Sequence, residues 1–141
     1  MSDRSVSLIK ALRGALVLAI LAAVSAYAQA KSLSEPARVE IQQLLSALGN
    51  SQCEFYRNGT WHSSVKAKQH IASKLEYLER RELVSSTEDF IALAATKSSK
   101  SGEPYQVQCP GKSPEPSATW LERRLKSLRG SPSYEQKRPG R

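Results

Sequence analysis

Few groups in this chain could do chemistry, and most of them lie between Cys53 and Cys109. That stretch holds both cysteines, both histidines (His62 and His70), an Asn-Gly pair and the loop Ser101-Gly102-Glu103-Pro104-Tyr105. Either histidine could serve as a general base beside a serine and a glutamate, the arrangement of a small hydrolase. No nucleophile elbow and no paired-carboxylate pattern accompanies them, and a single histidine on a helix more often makes a structural hydrogen bond. The expectation is a non-catalytic protein, with hydrolysis through His62 or His70 as an alternative. Two Cys and two His without close ligand spacing do not form a zinc site, so neither a metal nor another cofactor is expected. In the loop, glycine permits close approach, proline stiffens the exit, and Tyr105 opens a strand. Loops held on a rigid frame are where binding residues concentrate, which makes Ser101, Gly102 and Tyr105 candidates.

The first thirty residues read as a secretory leader. Arg4, Lys10 and Arg13 precede an apolar run, Ala15 to Val24, and small residues then offer an A-x-A site with cleavage after Ala30. The run is about half the ~20 residues that a membrane span needs. No cysteine follows until Cys53, so no lipid-acceptor thiol stands at the cut. The expected location is periplasmic or secreted, with no membrane span after leader removal. In an oxidising compartment the two cysteines should form one disulfide, Cys53–Cys109. Closing a loop of that length is worth roughly 4 kcal/mol in the chain-entropy model.

Residues 31–141 carry eighteen basic and twelve acidic side chains, but the excess is local. From Arg123 onward there are seven basic residues and one acid, so residues 31–122 balance to zero. The pattern is a neutral domain (31–130) with a basic, disordered tail (131–141). No aromatic stacking platform accompanies the tail, which argues against nucleic acid. The expected partner is a periplasmic protein or an envelope component of unknown identity.

The elements that must position these groups follow from spacing. Ser34-Glu35-Pro36 starts a helix over 35–48, with Val39, Ile41, Leu44, Leu45 and Leu48 inward and Gly49-Asn50 as the stop. Asn58-Gly59 predicts a two-residue hairpin pairing Arg57 with Thr60 and Tyr56 with Trp61. The same Asn58-Gly59-Thr60 matches a glycosylation sequon, read as coincidence beside a bacterial-type leader. Ser63 or Ser64 caps a second helix running to about Glu82 on Ala67, Ile71, Leu75 and Leu78, with Val65 and Ala72 beside that stripe. Ser86 and Asp89 resemble a capping box opening a third helix to about Lys97, buried through Phe90, Ile91, Leu93, Ala94 and Ala95. Tyr105 to Cys109 alternates with period two as a strand. Residues 110–117 read as a linker, after which Ser117 caps a last helix on Trp120, Leu121, Leu125 and Leu128. The fold class is α+β: about four helices packed on a small antiparallel sheet of the hairpin plus one strand, with one disulfide.

Two resemblances bear on function. Ser101-Gly102-x-x-Tyr105 looks like the S-G-x-x-Y signature of bacterial periplasmic lysozyme inhibitors, which implies a protruding loop that enters an enzyme's cleft. More extensively, Arg57-Asn58-Gly59, His70 with Lys74, Thr87 with Phe90-Ile91, Ser99-x-Ser101-Gly102-x-Pro104-Tyr105-x-Val107 and Pro110-Gly111-Lys112 resemble the YfeK-like family of small exported bacterial proteins, over about residues 40–128. That resemblance implies export and the domain's extent; Arg57 and His70 stand with Ser101, Gly102 and Tyr105 as candidate binding residues. It implies no activity.

Overall fold

The computed structural model describes residues 32–131. The expected leader, and the expected tail beyond Ser131, lie outside them. Ser34 is in extended backbone and its hydroxyl accepts from the Ala37 N–H, which opens α1 (Glu35–Gly49) where the Ser-Glu-Pro signal puts it. Ile41, Leu44, Leu45 and Leu48 form its buried stripe. Among the described residues no helix is long and apolar enough to cross a membrane.

Asn58 and Gly59 both adopt positive φ, 48° and 83°, so the two-residue turn forms as the Asn-Gly pair dictates. It joins β1 (Glu54–Arg57) to β2 (Thr60–Ser63) in the predicted register, Arg57 opposite Thr60 and Tyr56 opposite Trp61. β3 (Gln106–Gln108) pairs antiparallel with the other edge of β1, Phe55 opposite Val107. Just past the Glu54–Gln108 pair the Cys53 and Cys109 sulfurs lie 2.02 Å apart, disulfide distance. The 110–117 segment is not wholly linker. Glu115–Pro116 forms a short β4 against β3, and the sheet order is β2-β1-β3-β4. Its proline occupies an edge, where a missing N–H breaks no ladder.

Ser63 caps α2 (Ser64–Glu79), its hydroxyl accepting from the Lys66 N–H. The helix stops three residues before the expected Glu82. Glu82 turns left-handed at φ 56°, and Leu83 N–H bonds back to the Leu78 carbonyl. α3 (Thr87–Ala94) is likewise shorter than expected. Ser86 caps it through the Asp89 N–H, and the Asp89 carboxylate accepts from Ser85 N–H and Oγ. Ser117 is not the cap of α4 (Ser117–Arg129). It is the first helical residue, and its hydroxyl donates to the Ala95 carbonyl at 2.5 Å while its N–H donates to the Tyr105 carbonyl. That serine therefore ties the start of α4 to the end of α3.

The core fills the space between the inner sheet face and the helices. Phe55 meets Trp120 edge-on at 6.0 Å, and Val107, Phe90 and Leu121 belong to the same buried cluster. Val39, Val65 and Leu93, placed on or beside buried stripes by periodicity, are exposed instead, because each helix buries a narrower face than its apolar content suggests. A polar clamp joins α1, α3 and α4. Glu40, 3 % exposed, accepts two N–H groups of Arg129 at 2.8 Å and the Thr87 hydroxyl at 2.5 Å, and Glu88 takes a third Arg129 N–H. Bidentate guanidinium–carboxylate geometry is the strong form of such a pair.

Candidate functional site

A pocket of about 410 Å³ opens between α2 and the inner side of the β1–β2 hairpin. Leu48, Phe55, Ile71 and Leu121 form its apolar floor, and Arg57, His62, Lys66, His70 and Tyr105 bring polar groups to it. Each is placed by a simple periodicity. Arg57 is two residues from the inward Phe55, and His62 stands opposite Phe55 in the ladder. On α2, Ala67, His70, Ile71 and Lys74 share one stripe, as three- and four-residue spacing requires. The small side chain at Ala67 leaves the room that a larger residue would fill. Tyr105 lies two residues before the inward Val107 and is 5 % exposed.

His70 is the hub. Arg57 Nη1 lies 2.7 Å from His70 Nδ1, and Tyr105 Oη lies 3.1 Å from Nε2. A guanidinium can only donate, so Nδ1 is the bare nitrogen and the ring proton sits on Nε2, directed at the tyrosine oxygen. The phenol hydrogen then points elsewhere, and no hydrogen bond from it to a described residue is made. Lys74 Nζ stands 5.2 Å from the centre of the Tyr105 ring and donates to the Lys97 carbonyl at 3.0 Å.

Electrostatics reinforce this arrangement. Burial, then the charges of Arg57 and Lys74, then His62, pull the His70 pKa down from 6.5 to about 4, so the imidazole is neutral at physiological pH. Burial also lowers Lys74. Burial raises Tyr105, with Arg57 opposing it weakly. No Asp or Glu lines the pocket, and neither Arg57, Lys66 nor Lys74 has a carboxylate within 4.0 Å among the described residues. Arg38, Arg123 and Arg129 each do.

Of the expected site residues, the fold gathers Arg57, His70 and Tyr105 and leaves out Ser101 and Gly102. The Ser101 hydroxyl donates to Asn58 Oδ1 at 2.7 Å, pinning the exposed loop to the hairpin turn. Tyr105 does not protrude from that loop; its ring turns inward. Lys66 carried no signal as a pocket residue, since it reads as one more charge on a solvated helix face. The spacing of small Ala67, His70 and Lys74 was the available hint. Among the described residues no group of three or more His, Cys, Asp or Glu could hold a metal.

The model of a family of unknown function, DUF5329, matches residues 35–129, and the chain belongs to that family. The match spans every helix and strand that builds the pocket. Among curated proteins and among solved structures, nothing matches the chain.

Proposed function

We propose that this is an exported, non-catalytic binding domain whose pocket takes a small ligand of the cell envelope, and that within its family the chain is of the YfeK-like kind. The observation carrying this reading is the convergence of Arg57, His70 and Tyr105, mutually hydrogen-bonded, over an apolar floor in a pocket of about 410 Å³. Ligand sites are mostly apolar concavities of a few hundred Å³ or more, with a few fixed polar groups. The same geometry speaks against hydrolysis. A guanidinium faces His70 Nδ1, where a triad would place an orienting carboxylate. An imidazole with a pKa of about 4 is a weak base at neutral pH. The inhibitor reading of Ser101–Tyr105 loses its main contact, because the Tyr105 ring would have to leave the core to reach an enzyme.

The test exports the full chain with its own leader and purifies the product. Intact mass checks the leader, since cleavage after Ala30 leaves a chain beginning at Lys31. Native mass spectrometry after incubation with an envelope extract should show a small-molecule adduct on wild type and none on Ala67→Phe, which fills the pocket. No adduct, or equal retention by the filled variant, would refute the pocket as a binding site.

A further inference from the structure

We propose that the ligand is an amphipathic acid, its apolar body on the Leu48–Phe55–Ile71–Leu121 floor and its anionic head between the Arg57 guanidinium and the Tyr105 hydroxyl. This deepens the pocket reading and rests on it.

The argument is one of unused donors. Arg57 has five N–H donors in a planar fork. One, on Nη1, is spent on His70, and no other bond of this guanidinium is made among the described residues. The remaining fork can take an oxyanion in two parallel bonds. Tyr105 accepts from His70 Nε2–H, so its own hydrogen is left to donate. Both groups therefore have unspent donors to present to the pocket. A ligand bringing lone pairs would satisfy both.

Charge narrows the choice from any acceptor to an anion. Arg57 and Lys66 both line the pocket and no carboxylate does. Lys74 adds a third cation against the Tyr105 ring. Arg129, by contrast, has its countercharge built in by Glu40 and Glu88. Here the missing countercharge is the ligand's to supply. Walls of low dielectric constant strengthen that attraction, and an exposed lysine at the rim steers anions inward. His70 is a positioning residue. Accepting from Arg57 and donating to Tyr105, it fixes the direction of both, and its neutrality keeps that polarity in one sense.

The probes are octanoate, octyl phosphate and 1-octanol, which share a chain and differ in the head. They are titrated into the full exported chain by calorimetry and by chemical shifts of the Ile71 and Leu121 methyl groups. Either anion should bind at least tenfold more tightly than octanol, and the two anions distinguish a carboxylate from a phosphate head. Arg57→Gln should remove most of that preference, and an amide spectrum of the free variant matching the wild type away from position 57 certifies its fold. Lys66→Gln, on an exposed side chain, should weaken the anions two- to threefold and reduce their salt dependence. Octanol binding as tightly as both anions overturns the acid assignment while the pocket reading stands. Absence of binding by all three probes, with no shift at Ile71 or Leu121, overturns both.

Discussion

His70 gives the sharpest physical test, because its environment acts on stability as well as on charge. Its pKa falls from 6.5 to about 4 on folding, chiefly by burial and then by Arg57 and Lys74. The unfolded chain therefore binds a proton at this ring before the folded one does. Stability from this group is complete above about pH 6.5 and is lost as pH falls towards 4. For a fully desolvated ring the shift would be worth roughly 3.4 kcal/mol. His70 is only partly buried, so solvent screens its neighbours and about 1–2 kcal/mol is the expected loss. Carboxylates elsewhere also contribute to acid sensitivity, so the comparison is with His70→Gln, which can still accept from Arg57 and donate to Tyr105. Urea denaturation at pH 7 and pH 4.5 should show a pH-dependent loss smaller by about 1–2 kcal/mol in the variant. Ring-nitrogen NMR of the wild type should show the Nε2–H tautomer persisting below pH 5. Arg57→Leu should raise the pKa only part of the way, because burial is the larger cause. A ring that titrates near 6.5 in the wild type, with identical pH dependence in His70→Gln, would refute the arrangement of donors on which the site rests.

Two further outcomes follow from the packing. Replacing Cys53 and Cys109 together by serine should lower the unfolding free energy by roughly 4 kcal/mol, read by chemical denaturation, and reductant should do the same to the wild type; an unchanged midpoint would show that the cross-link does not constrain the unfolded chain. Tyr105→Phe keeps the ring and should cost about 1 kcal/mol, whereas Tyr105→Ala empties a buried site and should cost about 3–5 kcal/mol. Similar losses for the two in a thermal melt would mean that the ring contributes little packing, and only the phenylalanine variant is a fair probe of binding.

How much of this was legible depended on how local each cause is. The hairpin was, because two adjacent residues with positive φ need Asn and Gly, and the register follows from a two-residue turn. The cysteine pair was, from the count of two and the expectation of an oxidising compartment. The ends of α2 and α3 were not, since a left-handed Glu82 has no sequence signature and the polar run around it is equally good helix. β4 is two residues long and half proline, and it exists only because β3 offers an edge. Ser117 reads as a cap by type, yet a carbonyl left over at the end of α3 captures its hydroxyl. The site was the least legible part. His70 and Tyr105 are 35 positions apart, and Arg57 and His70 are 13 apart. Only the antiparallel pairing of β1 with β3, under α2, brings the three together.

The composition of the pocket is itself an argument for function. The buried ion cluster at Glu40 satisfies its charges internally, and its removal would break contacts among three helices. The Arg57–His70–Tyr105 group does not. Burial disfavours the charged forms of His70, Lys74 and Tyr105, so desolvation counts against this corner of the fold. An apolar residue at position 70 could fill part of the cavity and would stabilise the domain if packing were the only requirement, because well-packed apolar replacements of buried polar groups are often neutral or favourable. A corner that buries these polar groups, with cations facing an open pocket and guanidinium donors unspent, departs from what packing alone would favour. Departures of that kind are expected at functional sites, where the arrangement is completed by what binds there.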